Sequence, residues 1–97
     1  MIETRRTNLG SVVNEGARLA WLKMRERDWD QSKLRAEIKA QTGKEITSGA
    51  LVKYLYCDRR PGVQWTIVFE TVLGIAPAQW HQEPSVPFAP PAAEKAA

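Results

Sequence analysis

The sequence predicts an all-α fold, a compact five-helix bundle, and three observations carry that reading. From Leu9 to Trp80 the apolar residues recur at helical spacing. Residues of capping type stand where the apolar stretches begin, and glycines stand where two of them end. No stretch alternates apolar and polar side chains with the period of two that a half-buried strand needs.

The elements follow in order. Residues 1–8 are expected to be a flexible amino-terminal arm carrying Arg5 and Arg6, and residues 9–81 the domain. Leu9, Val13, Ala17, Ala20 and Met24 lie three or four residues apart and predict an amphipathic helix from Leu9 to Arg27. Asp30 is an N-cap for a second helix, Gln31 to Thr42, with Leu34 and Ile38 on one face and Gly43 as its stop. Lys44-Glu45-Ile46 then leads to Thr47, a second N-cap. Its helix reaches about Cys57 with Ala50, Leu51, Tyr54 and Leu55 inward. Pro61-Gly62 punctuates the chain before an apolar helix from Val63 to Leu73, stopped by Gly74. Pro77 suits the first turn of a short last helix around Trp80. Residues 82–97, QEPSVPFAPPAAEKAA, have the composition of a disordered tail.

Composition narrows the function classes. A lone cysteine, Cys57, cannot close an intrachain disulfide, which fits a reducing cytoplasm. The amino terminus lacks the apolar core of a signal peptide, and no apolar run approaches the roughly 18 residues of a membrane span. No Ser/His/Asp set, glycine-rich phosphate loop or Cys/His cluster is present. Catalysis, a metal and a cofactor are therefore not expected.

Charge is distributed unevenly. The net charge is +3, yet residues 15–61 hold eleven Lys/Arg against seven Asp/Glu, and no basic residue lies between Arg60 and Lys95. A cationic front half suits a polyanion on one side of the molecule.

Two short capped helices, followed by Arg59-Arg60-Pro61, suit the reading of duplex DNA. The helix after Thr47 must show an unencumbered face to enter a major groove about 12 Å wide. With Leu51 and Leu55 inward, that face carries Ser48, Gly49, Val52, Lys53 and Tyr56, which with Thr47 are the expected base-contacting residues. Gln31 at a helix start, together with Arg27, Lys44, Arg59 and Arg60, is expected on phosphates.

These segments resemble the Cro/lambda-repressor-like (XRE-type) helix-turn-helix domain over roughly residues 16–80. The resemblance rests on Trp29-Asp30-Gln31 with Leu34, on ITSGALVKYL running to Arg59-Arg60-Pro61, and on the closing IVFETVLGIAPAQW. It implies that Gln31 touches phosphate and braces the reading helix, while Thr47, Ser48, Val52 and Lys53 face bases. Three features depart from the family pattern. Arg35 stands where a small residue usually follows the helix-two leucine, Cys57 replaces the usual glycine, and the stretch between Leu34 and Ile46 is longer.

The expected function is that of a sequence-specific double-stranded DNA-binding transcriptional regulator, a prophage repressor, Cro-like protein or antitoxin-type autoregulator. It would bind a palindromic operator as a homodimer, with a toxin or a phage or host regulator as a further protein partner. Trp65, Ile67, Val68, Val72 and Trp80 exceed what one core needs if Val63, Phe69 and Leu73 face inward, so they are the expected dimer interface. The competing arrangement covers that stripe within one chain. The alternative function is a protein-interaction adaptor using SVPFAPP as a docking peptide. Trp21, Trp29, Trp65 and Trp80 read as core or interface rather than as a stacking platform for single strands. His81 reads as a surface residue and Cys57 as a passive helix end.

Overall fold

The computed structural model describes residues 14–56, 59–86 and 88, and among them the chain forms four α-helices, one 3-10 turn and no strand. Helix α1 spans Glu15–Arg27. Asn14 caps it, its extended backbone turning into the helix and its side-chain oxygen accepting from the Ala17 N–H at 2.7 Å. The helix thus begins at Glu15 and not at Leu9, since the polar cap at Asn14 outweighs the continued apolar spacing. Leu9, Val13 and the amino-terminal arm lie outside the described residues. Asp28 ends α1 in the left-handed region at φ 58°, where a short polar side chain is tolerated.

Helix α2 (Gln31–Thr42) and helix α4 (Val63–Leu73) occupy the ranges the spacing predicts. Asp30 accepts from the Lys33 N–H at 2.8 Å, and Gly43 and Gly74 close the two helices at φ 77° and 76°. Helix α3 is described over Ser48–Tyr56. Thr47 caps it as expected, its hydroxyl accepting from the Ala50 N–H at 3.0 Å. The expected fifth helix is a single 3-10 turn, η1, over Pro77–His81. Five residues starting at a proline are too few to close successive α-helical bonds, and the Gln79 side chain caps the turn by accepting from the Ala76 N–H.

Helix α1 packs against η1 and α3, and α4 packs against α2 and η1, while α2 and α3 share a thinner contact. The core is one cluster, with Ala17, Ala20 and Met24 of α1, Leu34 and Ile38 of α2, Leu51 and Leu55 of α3, and Phe69 and Leu73 of α4. Aromatic rings bridge the elements: Tyr54 stands edge-on to Phe69 at 6.0 Å, and Phe69 tilts against Trp80 at 5.2 Å. Gly16 allows the closest of these approaches, because a Cβ there would lie 2.3 Å from the Trp80 indole.

Two expectations are corrected. Val68, Val72 and Trp80, assigned to a dimer interface, are buried within one chain, whereas Val63, assigned to the core, is 77% exposed. The buried positions of α4 (66, 68, 69, 72 and 73) sweep about 160° at 100° per residue, because two elements cover this helix. The tail is also ordered past its expected start. The Glu15 N–H donates to the Gln82 carbonyl at 2.7 Å, and Phe88 packs against the core. No helix among the described residues is long and apolar enough to cross a membrane.

Candidate nucleic-acid interface

The outward side of α3 is held in place from behind. Leu51 and Leu55 are buried, and the Trp21 indole N–H donates to the Leu55 carbonyl at 3.0 Å. That carbonyl lies in the last described turn of α3, so the bond anchors this end of the helix to α1. Tyr56 closes the same end, its ring edge-on to Trp21 at 5.3 Å.

Thr47, Ser48, Gly49 and Lys53 are exposed, and Val52 is half-buried. A Cβ on Gly49 would meet nothing within 4 Å, so the helix surface there is open. Thr47, Gly49, Ala50, Lys53, Tyr54 and Arg59 line a shallow hollow of about 370 Å³. The structure therefore brings together Thr47, Gly49, Lys53 and Arg59 from the expected set, with Ser48 and Val52 on the same short helix. Tyr56, also in the expected set, is half-buried and stands edge-on to Trp21.

The expected phosphate contacts divide into two groups. Arg27 donates to the Val72 carbonyl at 2.8 Å and lies 4.9 Å over the Trp29 ring, joining the ends of α1 and α4. Arg60 donates to the Trp80 carbonyl at 3.1 Å. Each also staples two elements, because carbonyls at helix ends lack intrahelical donors and a nearby guanidinium supplies one, while both residues stay exposed. Lys44, Lys53 and Arg59, by contrast, are exposed and have no side-chain partner among the described residues. Gln31 is half-buried at the start of α2.

Arg35 has a role that its sequence position did not reveal. It donates to the Ile46 carbonyl at 2.9 Å and so ties α2 to the connector ahead of α3. Lys39 pairs with Glu45 across the same connector, and neighbours hold the Glu45 carboxyl below its ordinary range, chiefly through the Lys39 hydrogen bond. Lys33 pairs with Glu37 at 3.0 Å. The Glu37 carboxyl is likewise lowered, first by the Gln41 amide and then by Lys33. These contacts stiffen the longer stretch between Leu34 and Ile46. Cys57 lies outside the described residues.

A second polar hollow, of about 640 Å³, lies at the corner between α1 and α2, lined by Arg27, Asp28, Trp29, Asp30 and Lys33. Its mixture of both charge signs suits neither an anion nor a cation. Among the described residues no group of three His, Cys, Asp or Glu side chains could hold a metal ion. The chain matches no protein-family model, no curated protein and no solved structure.

Proposed function

We propose that this chain is a sequence-specific, double-stranded DNA-binding transcriptional regulator of the cytoplasm, with α2 and α3 as its helix-turn-helix and no catalytic activity. The observation that carries the reading is the open polar side of α3. Its hollow is flanked by Lys53 and Arg59, cations without partners among the described residues, and Lys44 lies three residues before Thr47. Ser48 can donate to or accept from a base edge, Val52 can touch a thymine methyl, and Lys53 can reach guanine or phosphate. Unpaired cations beside a small-residue helix face suit a polyanion, and the division between base and backbone contacts follows from reach.

A homodimer on a palindromic operator belongs to the proposal, since one helix-turn-helix reads few base pairs. With Val68, Val72 and Trp80 buried, the apolar surface left on α4 is Val63, Ile67 and half-buried Trp65. That surface also favours the second reading, an interaction adaptor. The docking peptide imagined for the adaptor is less free than its composition suggests, because Ser85 and Phe88 both contact the folded domain.

A salt titration of duplex binding tests the proposal. If Lys44, Lys53 and Arg59 each neutralise one phosphate, log K should fall with log salt at a slope of about −2 to −3 per chain. Affinity for cognate over random duplex should exceed tenfold at about 150 mM salt. Binding absent at low salt would leave the adaptor as the better reading.

A further inference from the structure

The chain leaving η1 does not run into solvent. Gln82 and Ser85 meet the amino-terminal end of α1 at Glu15, the point of attachment, and Phe88 packs against the core. Its own N–H donates to the Gln82 carbonyl at 2.7 Å. Its carboxylate accepts from the Ser85 N–H at 2.8 Å and from the Ser85 hydroxyl at 3.1 Å. Arg18, one turn later on α1, donates to both carboxylate oxygens at 2.8 and 2.6 Å and fixes the receiving group. The next residue, Gly16, lies flush against Trp80, so the clasp sits beside the seam between α1 and η1.

This attachment differs in kind from the core. Apart from the packing of Phe88, it consists of a few hydrogen bonds to Glu15, and its outer residues Ser85 and Val86 are exposed. Two fully buried donors near the seam, the Asn14 side-chain amide and the Trp80 indole N–H, have no acceptor among the described residues. A buried donor without a partner disfavours the closed arrangement, and water could reach it if the seam loosened. Segments held by few apolar contacts open at a lower free energy than the core.

We propose that the strap after η1 is a detachable latch, clasped on Glu15 through Ser85, which opens and closes while the helical core stays folded. Closed, it seals the α1–η1 seam. Open, it frees an apolar, proline-flanked peptide and uncovers the start of α1. Ser85 is the release point, because its two donors hold the strap and the residue is exposed.

Native-state hydrogen exchange on the full chain tests this directly. The amides of Glu15 and Ser85 both donate across the clasp, so they report opening, and the Phe69 amide inside α4 reports the core. In the unmodified protein the two clasp amides should exchange at least tenfold faster than Phe69. Ser85→Glu, which sets a second carboxylate against Glu15, should speed both clasp amides a further tenfold or more, as expected for losing hydrogen bonds to a charged group, with Phe69 unchanged. Ser85→Ala, which keeps the N–H, should act in the same direction by less. Clasp amides as protected as Phe69 in the unmodified protein would overturn the latch, making the strap part of the core. So would a Ser85→Glu variant whose clasp exchange is unchanged, or one in which Phe69 accelerates equally.

Discussion

The outward side of α3 and the seam between α1 and η1 treat charge in opposite ways. At the seam every arginine has an assigned partner: Arg18 grips Glu15, and Arg60 donates to the Trp80 carbonyl. Around α3, Lys53 and Arg59 point into open space beside a glycine that leaves the helix surface bare. Cations held by internal acceptors fix geometry, whereas cations left without them remain available to an external anion. The difference shows that net charge alone does not locate a binding face. Arg27 and Arg60 belong to the same cationic half as Lys53 and Arg59, yet the fold uses them as staples.

The comparison can be broken at its extremes. Trp80→Ala should cost about 3–5 kcal/mol, since it empties the seam that Gly16 and Phe69 pack against. Denaturant unfolding would measure it, and a loss below about 1 kcal/mol would mean that the seam is not the structural half. Next in size, Lys53→Ala or Ser48→Ala should weaken binding to a cognate duplex by about 1–3 kcal/mol. Their unfolding midpoints should stay put, because both side chains are exposed. A matching loss of stability would erase the distinction between the two regions.

The two adjacent arginines sharpen it further. Arg59→Ala should flatten the salt slope of DNA binding by about one unit and leave stability alone. Arg60→Ala should lose about 1–2 kcal/mol of stability and leave the slope alone, since its hydrogen bond goes to a carbonyl. Interchanged outcomes would reverse the assignment.

A pH titration probes the clasp. The Arg18 hydrogen bonds, followed by those from Ser85, bring the Glu15 carboxyl down to about 2 against the resistance of burial. Its folded value thus lies below the unfolded one, so the stability it adds is complete above about pH 4.5 and is lost as pH falls towards 2. Glu15→Gln should remove that part of the acid dependence. A variant with the same acid profile as the unmodified chain would show that other carboxylates dominate.

The smallest expected effect concerns α4. Ile67→Ser should change monomer stability by no more than about 0.5 kcal/mol, because Ile67 is 54% exposed, while weakening self-association at micromolar protein. Sedimentation equilibrium distinguishes the two, and undiminished association would move the dimer contact off α4.

Local rules made much of this protein legible from its sequence. The bounds of α2 and α4, the caps Asp30 and Thr47, and the glycine stops at 43 and 74 depend on neighbours within one turn, so a single sequence specifies them. That the four tryptophans belong to packed surfaces was legible from their helical spacing, but not that Trp80 packs within its own chain. What lay beyond reach were decisions made between distant segments. Whether Val68 and Val72 face a second chain or their own depends on α4 being covered from two sides. Whether Arg60 meets a phosphate or a carbonyl depends on η1 returning beside it from 20 residues away. The clasp of Ser85 on Glu15 spans 70 residues and leaves no periodic trace. Tertiary packing alone chose among these, because a buried side chain or an unpaired carbonyl acquires its partner only when the chain has closed on itself.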